Sequence, residues 1–372
     1  MYRVDENSVP ARNYFLLFID TYFSFDNSNF FVIIRYKFPN FLLYTYARSV
    51  DTLKKCFVLF LTAVMILSGA MYGFAAEKEY NISVILKTTA SEYWGYVVAG
   101  ALAYGKDHPN VHVQVKGATS ETAYDEQQNM IETDMNNSDI DGYVIAPLQA
   151  DMVANMISGQ KKPIVAVDTN IEAPEVLAFV GTGNESAGAL GGAAAAKYAK
   201  ERGWTEIKCI EIAGVQGDST NEARMRGYAK GVESEGGKFL YDEIQYANAE
   251  ANQAVACMEA IMQNHPEGIA IICANNDDMA MAAARAAAGN EAYKNTVFLG
   301  FDGIQSACNS ILAGEETMSV CQEGYTMGYT AVDAVVKALN GEKLEKFIDA
   351  GASVVDPTTA QKRLDQLKGY LQ

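Results

Sequence analysis

The sequence is short of positive charge and of histidine. Its 372 residues include 29 Lys and Arg against 46 Asp and Glu, and the formal net charge is −17. An acidic surface of that size repels phosphates, so we expect no nucleic-acid partner. Only 3 histidines occur; Pro109 lies between His108 and His112, and His265 stands alone, so no zinc site is expected.

Motifs of catalysis and of cofactor binding are missing as well. The sequence contains no G-x-S-x-G or P-loop pattern and no arguable arrangement of Ser, His and Asp. Gly181-Thr182-Gly183 resembles the start of a dinucleotide-binding loop, but Ser186 stands where the third glycine belongs. Asp139 occupies the position at which a calcium-binding loop requires glycine. We therefore expect a protein that is not an enzyme and that holds no cofactor or metal.

Cysteine gives no disulfide pattern. The 6 cysteines, at positions 56, 209, 257, 273, 308 and 321, form no C-x-x-C pair. Cys56 lies in a segment that is expected to be removed, which leaves an odd number. Most of the others are predicted to be small apolar core residues, so they do not determine the compartment.

An export signal is predicted at residues 53–76. Lys54 and Lys55 precede an apolar run from Cys56 to Leu67, and the small residues that follow end at Ala76. This order is typical of a secretory signal peptide, and the run is short for a membrane-spanning helix. A retained membrane anchor is the alternative. We expect the protein to be exported across the cytoplasmic membrane, to the periplasm or the cell envelope.

The stretch before the signal, residues 1–52, is rich in Phe and Tyr but lacks helical or strand regularity. We interpret it as an upstream extension that is not native to the protein, with translation starting near Leu53.

After Asn81, strand patterns and helix patterns alternate, about one strand every twenty to thirty residues. This alternation indicates an α/β fold with two doubly wound parallel-sheet lobes. Predicted strands cover 82–86, 111–115, 142–146, 163–167, 176–180, 207–212, 239–244, 269–273, 297–300 and 318–321. Predicted helices cover 93–104, 121–135, 152–159, 184–200, 221–235, 251–264 and 278–288.

Sheets of this kind bind ligands beyond the carboxyl ends of their strands. The segments at those positions are 88–94, 168–170, 217–221, 275–278, 301–303 and residue 322. They supply aromatic rings, carboxylates and amides, with arginines nearby, which suits a polyhydroxylated ligand. Taken singly, Asp168 and Asp302 could be helix caps, and Tyr93 and Trp94 could be core residues.

At these residues the sequence resembles the ribose-binding-type family of periplasmic sugar-binding proteins, the periplasmic binding proteins of type I. The resemblance runs over residues 80–356. The segments that carry it are Tyr93-Trp94, 163–168, 223–227, 274–280 and 300–303. It implies two lobes joined by three hinge crossovers, near Gly181, Gln322 and Ala350. The first lobe would comprise 80–181 plus 323–349, and the second 182–322 plus 350–372.

The resemblance also implies the binding residues. Tyr93 and Trp94 would sandwich or flank a sugar ring. Hydrogen bonds to the sugar hydroxyls would come from Asp168, Arg224, Asn276, Asp302 and Gln322. Thr169 is a further candidate, and Ser91, Glu92 and Asn248 are weaker ones.

Two departures from the family pattern make ribose itself doubtful. Pentose binders of the family carry Arg at the position of Thr169, and the aromatic residue expected near Ala249 is absent. A different sugar, an inositol-like polyol or another small polar metabolite is therefore favoured.

By resemblance, the protein captures a sugar or polyol between closing lobes and delivers it to the membrane permease of an ABC transporter, acting as a monomer. The alternatives are a sensor for chemotaxis or signalling, or a binder of a non-carbohydrate metabolite. Sugar-responsive repressors share the fold, but the acidic charge and the export signal disfavour them.

We predict that the mature protein begins near Glu77, because the small residues of 74–76 form the cleavage site. N-terminal sequencing of the exported protein checks this. Peptides from residues 1–50 in the mature product would contradict it.

Overall fold

The computed structural model describes residues 18–26, 29–38, 41–47 and 78–370. The chain divides into two units, residues 1–77 and 78–372. The described part of the first unit is a three-stranded antiparallel sheet of β1 (Phe18–Asp26), β2 (Asn29–Phe38) and β3 (Phe41–Ala47), with β2 in the middle.

The sequence pattern of residues 1–52 does not indicate these strands, since it lacks the regular alternation that is typical of strands. Aromatic and β-branched residues favour extended backbone even where they do not alternate with polar residues. The predicted signal peptide, 53–76, lies outside the described residues.

In the second unit, strands and helices alternate as the sequence pattern predicts. The elements up to residue 181 are β4 (Tyr80–Thr88), α1 (Glu92–Asp107), β5 (Val111–Ala118), α2 (Tyr124–Met135), β6 (Gly142–Ile145), α3 (Ala150–Met156), β7 (Ile164–Val167) and β8 (Val176–Gly181). Every residue of β6 and β7 is buried, as expected for parallel strands that are covered by helices on both faces.

The next segment repeats this alternation. Its elements are α4 (Asn184–Glu201), β9 (Lys208–Ala213), α5 (Ser219–Ser234), β10 (Lys238–Phe239), β11 (Gln245–Tyr246), α6 (Ala251–Asn264), β12 (Ile271–Ala274), α7 (Asp277–Ala286), β13 (Val297–Asp302), α8 (Gln305–Ala313) and β14 (Met318–Gln322).

The chain then ends in α9 (Gly324–Leu339), β15 (Phe347–Asp349), β16 (Ala352–Val355) and α10 (Ala360–Tyr370). None of the helices between residues 78 and 370 has both the length and the apolar character needed to cross a bilayer.

Two sheets form the cores of two lobes. The first is wholly parallel, in the order β15-β8-β7-β6-β4-β5. The second has the order β10-β9-β12-β13-β14-β16, and β11 also pairs with β9. Only β16 runs antiparallel to its neighbour in the second sheet. In each sheet the second strand lies on one side of the first strand, β4 or β9, and the later strands are added on its other side. Doubly wound sheets bind ligands at this change of direction.

The chain passes between the lobes three times. β8 belongs to the first sheet, and α4, which follows it, lies on the second. β14 belongs to the second sheet, and α9 lies on the first. The last passage runs from β15 to β16. Each lobe is thus discontinuous in sequence, which is the arrangement of the type I periplasmic binding fold.

The predicted strand over 239–244 was wrong. Its place is taken by the short strands β10 and β11, with a 3-10 turn at Tyr241–Glu243 between them. Side-chain pattern alone does not show this break, because residues of the turn resemble those of a half-buried strand. The helices α8, α9 and α10 had not been predicted.

Close contact between α1 and α9 depends on two glycines. A methyl group at Gly100 would lie 1.9 Å from the carbonyl oxygen of Tyr325, and one at Gly328 would lie 2.0 Å from that of Val97. Both distances are far inside van der Waals contact. The helices therefore touch backbone to backbone, which fixes α1 and the residues at its amino end.

We predict that Gly328→Ala lowers the free energy of unfolding by about 2 kcal/mol or more, because the added methyl forces the helices apart. Gly95→Ala, on α1 with no atom within 4 Å of the new methyl, is the control. It should be neutral or stabilising by up to about 1 kcal/mol. Urea unfolding measures both, and equal effects would contradict the close-packing argument.

Candidate ligand-binding cleft

A polar cleft lies between the lobes at the carboxyl ends of both sheets. The cavity inside it measures about 30 Å³, room for one or two water molecules. The first lobe contributes Lys87, Ser91, Tyr93, Trp94, Glu121 and Asp168. The second lobe contributes Val215, Asp218, Thr220, Asn221, Arg224, Ala249, Asn275, Asn276, Asp278, Asp302 and Gln322. Both lobes thus supply walls to one site.

On the first-lobe wall, two aromatic residues at the start of α1 are held by carboxylates. The Tyr93 hydroxyl donates to Asp168 at 2.8 Å, and Trp94 Nε1 donates to Glu121 at 3.0 Å. The two rings meet edge to face, with centroids 5.2 Å apart at 68°. Because they contact each other in this way, they can flank a ligand but cannot sandwich one between parallel faces.

On the second-lobe wall, Arg224 is the fixed cation. Glycines 188, 227 and 231 let α4 and α5 approach closely, which sets the position of Arg224 on α5. Its guanidinium lies 3.7 Å from the centroid of the Phe301 ring and 3.9 Å from Asp302. It also donates to the Asn275 carbonyl at 2.7 Å. Stacking and hydrogen bonding together remove its rotational freedom.

Asp302 and Gln322 stand beside Arg224 at the ends of β13 and β14. Gln322 Nε2 donates to Asp302 Oδ1 at 2.7 Å, and the Thr182 hydroxyl donates to Gln322 Oε1 at 3.2 Å. Asp302 adopts φ of 120°, a backbone region that non-glycine residues avoid. Burial raises the pKa of Asp302 well above its usual value, although Arg224 opposes the shift.

Two polar contacts run from lobe to lobe, the first inside the cleft and the second at its edge. Lys87 Nζ lies 2.5 Å from Asp218 Oδ2, and the Thr169 and Thr220 hydroxyls are 3.0 Å apart. Burial disfavours the Lys87 ammonium, but the charges of Asp218 and its neighbouring carboxylates outweigh this and raise the pKa of Lys87. The ion pair is therefore maintained in the closed arrangement.

Glu92 makes a third contact between the lobes, outside the cleft. Its carboxylate accepts hydrogen bonds from the backbone amides of Gln305 at 2.7 Å and Ser306 at 3.3 Å, and from the Ser306 hydroxyl at 2.6 Å. It therefore caps the amino end of α8, where a carboxylate also interacts favourably with the helix dipole.

The structure brings together eight of the eleven predicted binding residues, and they are Ser91, Tyr93, Trp94, Asp168, Arg224, Asn276, Asp302 and Gln322. Three others lie outside the cleft. Glu92 is used as the α8 cap, and Thr169 bonds Asp168 and Thr220 instead of lining the cavity. Asn248 turns away on a backbone with φ of 50° and donates to Gln253.

Asn276 has two functions. Its side-chain oxygen accepts from the Met279 amide at 2.9 Å, which caps α7, and its Nδ2 donates to the Ala249 carbonyl at 3.2 Å. Asn276 therefore caps α7 and also lines the cleft.

Sequence reasoning missed several charged and amide residues of the cleft. Lys87 is inside β4, one residue before the segment taken as the strand end. Glu121 had been assigned to the start of a helix, but α2 begins at Tyr124. Asp218 and Asn275 lie in the polar loops after β9 and β12, and Asn221 and Asp278 lie in the first turns of α5 and α7. The sequence pattern selects these segments but predicts no binding role for the four residues. The strand-end rule would have found Glu121, which lies just past β5.

A carboxyl group is buried beneath the second-lobe wall. Glu211, in the middle of β9, is 0% exposed, and neither of its oxygens has a hydrogen-bond partner within residues 78–370. Burial raises the pKa of Glu211 well above its usual value; Glu222 adds to this and Arg224 opposes it. The group is therefore held in its neutral form in the fold.

Two α/β lobes that enclose a polar cleft at the carboxyl ends of their sheets are the architecture of proteins that capture small ligands between domains. The chain belongs to the family described as the periplasmic binding protein domain, whose model matches residues 82–343. That family consists of substrate-binding proteins.

Individual relatives resemble the chain over most of its length. The ribose import binding protein of Bacillus subtilis (strain 168) is 25% identical over 277 residues, which is 74% of this chain and 86% of the relative. The D-allose-binding periplasmic protein of Escherichia coli (strain K12) is 29% identical over 289 residues, 75% of this chain and 90% of the relative. A solved carbohydrate transporter solute binding protein from Agrobacterium radiobacter, in complex with D-arabinose, superposes with a TM-score of 0.72 at 25% identity, covering 78% of this chain and 99% of that one.

We predict that Glu211→Gln stabilises the protein more at pH 8 than at pH 5. The folded pKa of Glu211 exceeds the unfolded one, so the wild-type protein loses stability as pH rises above the unfolded value of about 4.3. Glutamine cannot ionise, so the variant does not lose stability as the pH rises. Thermal unfolding at both pH values measures the difference, with the exposed Glu259→Gln on α6 as control. If Glu211→Gln raised the stability by the same amount at both pH values, the assignment of a buried, neutral carboxyl would be contradicted.

Proposed function

We propose that the protein is an extracytoplasmic solute-binding protein that captures a sugar or polyol between its lobes and delivers it to the permease of an ABC transporter. The observation that carries this is the shared cleft, in which both lobes contribute oriented hydrogen-bonding groups. The sugars printed in the descriptions of its relatives, ribose, allose and arabinose, support the same ligand class.

The chemistry of the walls suits hydroxyl groups. Asp168 and Asp302 accept hydrogen bonds, Arg224 and the amides donate them, and each sugar hydroxyl does both. Trp94 and Tyr93 offer apolar surface to the carbon skeleton. A wrong epimer would leave buried polar groups of the site unsatisfied, and this penalty gives selectivity.

Binding requires the lobes to open. A cavity of about 30 Å³ does not hold a sugar. The contacts that must separate are the Lys87–Asp218 ion pair, the Thr169–Thr220 hydrogen bond and the Glu92 cap on α8. Three chain crossovers between the lobes are suitable hinges for this motion. The open form would admit the ligand, and the closed form would present it to the permease.

Ribose is a less favoured ligand than other sugars or polyols. Thr169, at the position where pentose binders carry Arg, lies outside the cleft and bonds protein groups. The site therefore lacks a second arginine beside Asp168. Ala249, where a second-lobe aromatic was expected, lines the cleft with a small side chain.

The proposal includes export and the absence of turnover. The predicted signal peptide supports export, and the family membership supports capture without reaction. A bound sugar should be recovered unchanged after incubation with the protein. Delivery to a permease is consistent with a monomer that meets its partner only transiently.

We predict that one or more members of a panel of pentoses, hexoses, inositols and nucleosides raises the melting temperature of the protein, since a ligand that binds the folded state stabilises it.

Asp302→Ala should abolish this shift in melting temperature while leaving the protein folded, because Asp302 bonds Gln322 and lies close to Arg224 in the second-lobe network. Asp242→Ala, an exposed carboxylate outside the cleft, is the matched control. A panel without any stabilising member would refute the proposed function, and a shift retained in Asp302→Ala would remove that residue from the site.

A further inference from the structure

The walls of the cleft carry an excess of negative charge. Five carboxylates line it against two cations, Lys87 and Arg224. The five are Glu121, Asp168, Asp218, Asp278 and Asp302. With Asp302, whose pKa burial raises well above its usual value, counted as neutral, the other four carboxylates exceed the two cations by two negative charges in a site that closes away from water. Such an excess is costly unless a ligand offsets it.

We propose that the ligand carries a positive charge, and that it is an amine-bearing polyol such as an amino sugar or an amino cyclitol. This inference rests on the proposed function of the same cleft. It specifies the ligand class further, from neutral sugars and polyols to those with an ammonium group.

The two cations of the cleft are already engaged. Lys87 lies 2.5 Å from Asp218, and Arg224 lies 3.9 Å from Asp302. Lys87 is therefore shared between Asp218 and Glu121, and Arg224 has Asp302 within ion-pair distance. Two cations do not offset all the carboxylates of the cleft. The nearest additional pairing, between Lys87 and Glu121, is at 4.0 Å.

Three carboxylates remain without a cation of their own. Asp168 accepts from the Tyr93 and Thr169 hydroxyls, and Glu121 accepts from Trp94 Nε1; all three donors are neutral. Asp278 makes no side-chain hydrogen bond or ion pair with any group in residues 78–370 and lines the cleft. Burial raises the pKa of both Glu121 and Asp278, although Lys87 and Trp94 oppose the shift of Glu121.

Buried amide donors in the cleft independently indicate a polar ligand. Asn221 and Asn275 are 1% and 7% exposed, and the Nδ2 atom of each has no partner within the described part of the chain. The Asn221 oxygen accepts from the Gly214 amide at 2.6 Å, which fixes the orientation of its NH₂ group. These NH₂ groups require acceptor oxygens, which the hydroxyls of a polyol supply.

A polyol with an ammonium group satisfies both requirements at once. Its hydroxyl oxygens accept from the asparagine amides, and its ammonium donates to carboxylates and offsets their charge. A neutral polyol satisfies the amides but leaves the charge excess in place. Hydrogen bonds to a charged group contribute about 1 kcal/mol more than neutral ones, so we expect the amine to bind about five- to tenfold more tightly than its neutral counterpart.

Matched ligand pairs test this. Each pair has the same stereochemistry and differs in charge: glucosamine with glucose, galactosamine with galactose, mannosamine with mannose, and an aminodeoxyinositol with the corresponding inositol. N-acetylglucosamine, which is neutral but keeps the nitrogen, is a further control. Titration calorimetry gives the dissociation constants, and Trp94 fluorescence reports binding directly because its ring is in the cleft.

Two variants test the source of the preference. Asp278→Asn and Glu121→Gln each remove one charge and keep the shape of the side chain and one acceptor oxygen. Each should reduce the amine-over-neutral affinity ratio by about threefold or more. Asp242→Asn makes the same charge change on the exposed surface and should leave the ratio unaltered.

The outcomes separate this inference from the proposed function. The charged-ligand inference is supported if the amine of a pair binds more tightly than its neutral partner and if Asp278→Asn or Glu121→Gln reduces the ratio of the two affinities. Binding of neutral members equally or more tightly overturns the charged-ligand inference and leaves sugar or polyol binding intact. If no member of any pair binds, both the proposed function and this inference fail.

Discussion

The structure depends on one constraint: polar and charged side chains at the carboxyl ends of two parallel sheets must satisfy one another when the lobes meet. Arg224 is the centre of this network, since it is stacked on Phe301, bonded to the Asn275 carbonyl and close to Asp302. Asp302 in turn is bonded to Gln322, where the chain crosses between the lobes. A buried cation of this kind is stable only with such partners.

The same constraint connects the site to the motion of the lobes. The contacts that close the cleft, between Lys87 and Asp218 and between Glu92 and α8, are polar and exchangeable with water. Apolar contacts also join the lobes, since Ile304 and Cys308 pack in one cluster with residues of α1. Opening at the cleft therefore exchanges polar contacts for hydration. A ligand shifts the equilibrium by restoring polar partners in the closed state.

Much of the fold could be predicted from the sequence. The alternation of buried strands and helices indicated two doubly wound lobes, and most strand and helix bounds agree within a few residues. The prediction failed where local pattern is ambiguous, as at residues 239–244, and where helices lie between strands without a clear signal, as for α8. The strand-end rule selects Asp168, Asp302 and Gln322, and the family resemblance adds Arg224; all four line the cleft.

The sequence by itself determined the lobes, the ligand-facing edge and the polar character of the site, because periodicity and strand ends are local properties. Only the tertiary structure decided which polar residues meet. Glu92 and Thr169 are adjacent in sequence to cleft residues, yet they contact groups more than fifty positions away. Lys87 became part of the site because Asp218 of the other lobe lies opposite it. Partners across two lobes are set by packing and chain crossovers, and a one-dimensional pattern does not encode those distances.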